Sequence, residues 1–511
     1  MEALTKFWKT LQSGTDIRGI ASEGMAGQEI NLTDDVVGKI AQGFAQWLAD
    51  IQQKTFEELK IAVGHDSRIS APRIRQAALS AFSQLGVTVL DCGLASTPSM
   101  FLTTLDLHCD GAVEITASHH PFNRNGLKFF TKNGGLERED ITSILLHAQS
   151  LDDLQQHGAP GPIIHTNYMA RYSRRLQDLI KEGVQAEDYD HPLQGFHIVV
   201  DAGNGAGGFY ASQVLEPLGA NTQGSQFLEP DGMFPNHVPN PEDPAAMASI
   251  CQATLAAKAD LGVIFDTDVD RGGAVDRHGK EINRNRLVAL ASAIALEGNE
   301  GGTIVTDSIT SDGLKAYIET TLDGVHHRFK RGYKNVINEA IRLNQEGVNC
   351  PLAIETSGHA AMRENYFLDD GAYLVTKIII QMAVLRKQGK SLEAILSPLA
   401  EPKEAVELRL PIIDEDFRAC GNRILTDLET YAQAHQWQIA PDNREGLRVS
   451  FPPEEGNGWF LLRLSVHDPI LPLNIESDSV GGVHQILTQL QKYLSKCSGL
   501  QIQPLEEFLQ A

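Results

Sequence analysis

Two stretches of this chain put reactive side chains at spacings that could do chemistry together. In GAVEITASHHPFNRNGLK an apolar run ends in Ser118, which is followed by His119 and, further on, by Lys128. A serine after a strand ordinarily caps a turn, and with no G-x-S-x-G elbow in the chain acyl transfer has little support. A serine that carries phosphate needs a metal on that phosphate, cationic neighbours and a general base. Lys128 and His119 supply two of these, and DTDVDRGG supplies the carboxylates of Asp266, Asp268 and Asp270. In extended backbone residues i, i+2 and i+4 face one way, so the three carboxylates converge and repel one another unless a cation sits among them. Oxygen-only ligation suits Mg²⁺; the alternative is a solvated acidic turn. An EF-hand fits poorly, because Arg271 stands where the loop requires glycine.

Four further loops carry polar groups. DAGNGAGG, with Gly203, Gly205 and Gly208, satisfies the dinucleotide fingerprint, but the acid expected about 20 residues on is missing, and the glycines read as a tight strand-to-helix turn. ETSGH offers Glu355, Ser357 and His359, a carboxylate and a hydroxyl suited to sugar hydroxyls, with a surface turn as the equal alternative. Lys330 and Lys334 in RFKRGYKNVI are solvated lysines or, in a cleft, anion contacts. LLRLSVHDP places Arg463 at a strand and Ser465 and His467 in a loop, a phosphate grip or an edge-strand arginine with a turn.

Repeated elements carry these loops. The pattern of apolar strand, loop, amphipathic helix and closing strand occurs three times: LKIAVGHDSR to GAVEITASHH, FHIVVDAGNGAGG to LGVIFDTDVDRGG, and GGTIVTDSITSDG to PLAIETSGH. Such alternation predicts α/β domains of βαβ type with mixed, mainly parallel sheets whose binding loops lie at the carboxyl ends of strands. After about Glu401 the alternating runs ELRLPI, LRVSF and WFLLRLSV, with helices near 417–435 and 483–495, predict an antiparallel α+β domain. Four domains are expected around a central cleft: 1–163 with the serine loop, 164–281 with the acidic loop, 282–399 with ETSGH, and 400–511. The chain of 511 residues is too long for one core. Its net charge of −23, from 43 basic and 66 acidic residues, repels polyanions and excludes nucleic acid as a partner. No apolar run is long enough for a membrane span, the six scattered cysteines form neither a zinc nor a disulfide pattern, and the N-terminus lacks a signal peptide, so a cytoplasmic protein is expected.

In this order the loops resemble those of the α-D-phosphohexomutase family, the phosphoglucomutases and phosphomannomutases, over nearly the whole chain. SGTDIRG is similar to its N-terminal element, TASHHP to its phosphoserine loop, DTDVDR to its magnesium loop, ETSGH to its sugar loop and RLSVHDP to its phosphate loop R-x-S-[GN]-T-E-P. The resemblance implies that Ser118 is the phosphoserine, with Asp266, Asp268 and Asp270 holding Mg²⁺ against it. Arg18 and Arg271 would neutralise the transferring phosphoryl group, while His119, Lys128 and Lys330 would be acid/base groups or phosphate contacts. Glu355 and Ser357 would hold sugar hydroxyls, with His359 and Lys334 nearby, and Arg463, Ser465 and His467 would grip the phosphate that is not reacting. The implied activity interconverts hexose 1-phosphate and hexose 6-phosphate, of glucose or mannose, in a monomer or homodimer, with glucose 1,6-bisphosphate as intermediate and activator. Val466, His467 and Asp468 depart from the family's phosphate loop. A looser hold there implies an alternative, a synthase that releases glucose 1,6-bisphosphate as product and takes its phosphoryl group from a sugar bisphosphate or bisphosphoglycerate.

Overall fold

The computed structural model describes residues 3–465 and 468–510. It comprises two compact units, one formed by Met1–Leu287 with Ser357–Ala394 and the other by Val288–Thr356 with Ile395–Ala511.

In the first unit the apolar runs become strands of a mixed sheet. Lys60–His65 pairs in parallel with both Thr88–Leu94 and Gly111–Ile115. Gly111–Ile115, buried at every position as its unbroken apolar run requires, pairs antiparallel with Arg124–Thr131. That register sets Glu114 opposite Lys128, and the hairpin between the two strands is the serine loop. On its other side Arg124–Thr131 pairs with Asp16–Ile20, the strand that carries Arg18. Here glycine is obligatory: a Cβ on Gly126, opposite Arg18, would lie 2.2 Å from the Ile17 carbonyl. A core of aliphatic and aromatic residues, including Phe44, Phe82 and Phe129, packs against this sheet.

A second sheet of the same unit pairs Ile198–Asp201 in parallel with Leu261–Phe265, which then pairs antiparallel with Gly272–Asp276. The acidic loop is the link between these last two strands. Gly203–Gly208 forms the expected tight turn: a Cβ at Gly205 would sit 2.6 Å from the Thr267 carbonyl, so the turn packs directly against the acidic loop.

In the second unit Thr303–Thr306 pairs in parallel with Val325–Arg328 and Leu352–Ile354. The chain after Ile395 forms an antiparallel sheet in the order Glu404–Pro411, Ile470–Ser477, Gly458–Leu462, Leu447–Phe451, Gln438–Ile439, covered by helices Phe417–Ala434 and Gly482–Leu494. Glu404–Pro411 alternates in burial, as a strand with one wet face should. Among the described residues no helix is long and apolar enough to cross a membrane.

Candidate functional site

Ser118 lies just past the Gly111–Ile115 strand and is 4% exposed. Its φ is +51°, a left-handed conformation that costs a non-glycine residue about 1 kcal/mol and persists only where the surroundings impose it. The Ser118 amide donates to Thr116 Oγ1 at 2.9 Å. The Ser118 hydroxyl receives Arg271 Nη2 at 2.8 Å and donates to Asp266 Oδ2 at 3.1 Å. His119 Nδ1 stands 3.3 Å from the same hydroxyl and 2.6 Å from Arg271 Nη2. A guanidinium can only donate, so that ring nitrogen is an acceptor. Burial, and then the Arg271 charge, push the His119 pKa down to about 2 and leave the ring neutral.

The acidic triplet converges, though not by the route its spacing predicts. The DTDVD segment is a turn rather than an extended strand: Val269 N donates to the Asp266 carbonyl at 3.4 Å, and Val269 has φ +66°. The Asp266 side chain drives the turn by accepting the Arg271 amide at 3.2 Å, a local bond that competes with sheet pairing. Gly371 N donates to the Val269 carbonyl at 3.1 Å and holds the strained residue. Carboxylate oxygens of Asp266, Asp268 and Asp270 then lie within 4.8 Å of one another. Lys128 Nζ bridges Asp268 Oδ2 at 2.7 Å and Asp270 Oδ2 at 2.5 Å, and Thr97 Oγ1 donates to Asp268 Oδ2 at 2.5 Å. Burial and the charges of Asp270 and Asp268 raise the Asp266 pKa well above the usual range. Burial acts in the same direction on Asp270, but Lys128, His359 and Arg271 outweigh it and hold that pKa low. Asp268 Oδ1 and Asp270 Oδ1 are buried and accept no hydrogen bond among the described residues. Two idle carboxylate oxygens beside a crowded third carboxylate fit a hard divalent cation such as Mg²⁺.

Arg18 Nη2 pairs with Asp16 at 3.0 Å, while its Nε is buried without a partner among the described residues. Its charge acts on both His119 and His120. His359 belongs to the same unit, where its Nδ1 meets Asp369 Oδ2 at 2.5 Å and Asp270 Oδ1 at 3.9 Å. Burial opposes the charged ring, yet Asp369 and Asp270 raise its pKa to about 9, so it is a cation at neutral pH. Ser357 is buried.

The remaining residues singled out in the sequence lie in the second unit. Glu355 Oε1 accepts the Gly332 amide at 2.6 Å, between an exposed Lys330 and a half-buried Lys334. Thr356 Oγ1 donates to Asp307 Oδ2 at 2.8 Å, and burial, then the Glu355 charge, push the Asp307 pKa up to about 7. Arg463 is not on a strand; it follows Gly458–Leu462, with its amide on the Pro472 carbonyl at 3.1 Å. Its Nε is buried without a partner among the described residues. Ser465 Oγ accepts the Asp468 amide at 3.2 Å. His467, like Val466, lies outside the described residues.

Three contributors carry no sequence signal of their own. Thr97 on Asp268, Asp369 on His359, and Asn240, whose Oδ1 accepts Arg271 Nη1 at 3.1 Å, are brought in by the fold. Only Asp369 could have been suspected, as one of the paired acids of LDDG immediately before a helix.

Comparison with known proteins gives a consistent result. Three family models match in chain order: phosphoglucomutase/phosphomannomutase α/β/α domain I over residues 9–153, domain II over 174–279 and domain III over 283–402. A phosphomannomutase/phosphoglucomutase of Pseudomonas putida is 28% identical over 472 residues, 92% of either chain. A phosphoglucomutase of Neisseria meningitidis serogroup A is 27% identical over 483 residues, 93% of this chain and 95% of its own. Among solved structures, a phosphoglucomutase/phosphomannomutase family protein from Burkholderia thailandensis superposes with a TM-score of 0.76 at 23% identity, covering 96% of this chain and 98% of that one. That likeness establishes the fold: three α/β/α domains with mixed sheets and a further sheet-containing C-terminal domain.

Proposed function

The chain belongs to the α-D-phosphohexomutase family, and we propose that it is a hexose-phosphate mutase that carries the phosphoryl group on Ser118 and works through a hexose 1,6-bisphosphate. One observation carries this reading: a buried, strained serine whose hydroxyl lies 2.8 Å from Arg271 and 3.1 Å from the first of three clustered carboxylates. In-line phosphoryl transfer asks mainly for positioning and for neutralisation of the equatorial oxygens, and this cluster is furnished for both.

Asp266, Asp268 and Asp270 would hold Mg²⁺ with Ser118 beside it; the ion, when bound, would neutralise charge on the serine's phosphate. Arg271 and Arg18 donate to the phosphoryl oxygens. Lys128, once released from Asp268 and Asp270, is a third cation for the same group. His119, kept neutral, accepts the Arg271 N–H beside Ser118 and helps orient that guanidinium, and His359, kept charged by Asp369, donates toward the transferring group. The phosphoryl group passes from Ser118 Oγ to the free sugar hydroxyl, breaking the serine P–O bond and forming the sugar P–O bond; the sugar hydroxyl gives up its proton and the released Ser118 oxygen takes one up, restoring the serine hydroxyl. Return of the other phosphate to Ser118 completes the isomerisation. Glu355, Ser357, Lys330 and Lys334 read as contacts to the sugar and its phosphate, and Arg463 with Ser465 as the grip on the idle phosphate.

An assay with glucose 1-phosphate, mannose 1-phosphate and glucosamine 1-phosphate, each with and without catalytic hexose 1,6-bisphosphate, tests the reading. Conversion to a 6-phosphate stimulated by the bisphosphate is expected. Absence of any 6-phosphate from all three would remove it, and stoichiometric release of bisphosphate in place of 6-phosphate would replace it with the synthase reaction.

A further inference from the structure

Arg68, in the GHDSR loop after the Lys60–His65 strand, is 1% exposed, and nothing in the reaction outlined above uses it. Its guanidinium lies inside the serine loop. Nη1 donates to the carbonyls of Pro121 and Arg124, each at 2.9 Å, and Nη2 donates to the carbonyl of His120 at 2.7 Å and to that of Ser118 itself. The fifth N–H, on Nε, makes no hydrogen bond among the described residues; Asp66 Oδ2 lies 3.3 Å from Nε as its ion-pair partner, and Asp66 Oδ1 accepts the Arg68 amide at 2.9 Å. Four of the five donors of one guanidinium are thereby directed at backbone carbonyls within a seven-residue segment, 118–124.

We propose that Arg68 is the positioning residue that sets Ser118 for phosphoryl transfer, an inference that rests on the mutase reading. Drawing four carbonyls to a common buried cation closes the loop around the guanidinium. With its own carbonyl turned inward, Ser118 is held at positive φ and its hydroxyl is directed to Arg271 and Asp266. The bonds to Arg68 supply the over-determination that such a conformation requires. A lysine cannot replace it, since an ammonium has three donors and no planar fork. The Phe234 ring packs over the guanidinium with its centroid 5.3 Å from the guanidinium carbon, and the Gly232 backbone packs against that of Arg68, where a Cβ would come within 2.6 Å of the Arg68 carbonyl carbon.

The test uses the full chain with Arg68→Lys and Arg68→Ala, reading kcat and KM separately and counting phosphate on Ser118 by intact mass after exposure to hexose 1,6-bisphosphate. A displacement of the reacting atom by about 1 Å costs on the order of 100-fold. Arg68→Lys should therefore lose about that much kcat with KM changed less than about threefold, and it should take up phosphate slowly. Guanidinium chloride at low millimolar concentration should restore at least about tenfold of the kcat lost by Arg68→Ala, a rescue that lost folding cannot mimic. If these variants do not fold, Asp66→Asn, which removes the charge paired with the guanidinium, should show the same kcat-only loss at smaller size. Wild-type kcat per folded molecule in Arg68→Lys, or in Asp66→Asn where that variant is used, overturns the proposal while leaving the mutase reading intact. If the wild-type chain neither takes phosphate on Ser118 nor turns sugar phosphate over, the mutase reading fails and this inference fails with it.

Discussion

The Ser118 loop and the Arg463–Ser465 loop, each proposed above to meet a phosphate, are built differently. Around Ser118 every cation is engaged: Arg271 on Ser118, His119 and Asp266, Lys128 on two aspartates, Arg68 on four carbonyls. Two strained residues, Ser118 and Val269, are held in place there. In the Arg463 loop the arginine amide donates to the Pro472 carbonyl at 3.1 Å and Ser465 Oγ accepts the Asp468 amide at 3.2 Å, and neither of the two acidic clusters found among the described residues includes a residue of this loop. On the mutase reading the reacting phosphate would be met by a preorganised site, where geometry sets the rate, and the idle phosphate by the Arg463 loop, where contacts set affinity.

Substitutions that break this contrast should divide along it. Ser118→Ala is expected to cost the most, more than about a thousandfold in turnover with the fold retained, because among the described residues no other hydroxyl meets both Arg271 and Asp266; steady-state rates and a far-ultraviolet spectrum check both halves of the statement. Asp268→Asn should come next, at about 100-fold, and it should also abolish stabilisation by the metal. For the wild type, Mg²⁺ at 100 times its dissociation constant should add about 2.7 kcal/mol of stability, read by calorimetry. A variant that keeps that thermal shift would remove Asp268 from the cation site. Arg463→Ala should mainly raise KM, by about tenfold, with kcat largely kept. Loss of kcat with KM unchanged would mean that the Arg463 loop is part of the chemical step.

The smallest effect concerns stability away from both loops. His237 Nε2 sits 3.0 Å from Asp201 Oδ2 with its side chain almost fully buried. Burial disfavours the charged ring, but the hydrogen bond and the charge of Asp201 outweigh it and raise the pKa above its ordinary value. The stabilisation this pair gives is complete below the unfolded pKa of about 6.5 and is lost as pH rises through the raised folded value. The urea midpoint should therefore fall as pH rises above about 6.5, and in His237→Gln this fall should be smaller, the remainder coming from His359, whose pKa is also raised, to about 9.

The groups that could be read from the sequence are those set by local spacing. Ser118 at the end of an apolar run, three aspartates at every second position and the alternating strands near the C-terminus were all visible in a few consecutive residues. The geometry joining the aspartates differs from the extended one their spacing predicts, because the Asp266 side chain captures the Arg271 amide and turns the backbone. Thr97 reaches Asp268 across 171 positions and Asn240 reaches Arg271 across 31, and such long-range partners leave no periodic trace. Arg68 was hidden for another reason: an arginine after a strand looks solvated, and only the fold shows that it is the core of a loop 50 residues away.

The most direct test of Ser118 as phosphoryl carrier is peptide mapping after incubation with labelled hexose 1,6-bisphosphate, followed by a chase with unlabelled hexose 1-phosphate. The expected result is one phosphate per chain on the peptide containing Ser118, discharged to the sugar during the chase. An unlabelled peptide in an enzyme that turns over, or label on another residue that chases at the catalytic rate, would contradict it.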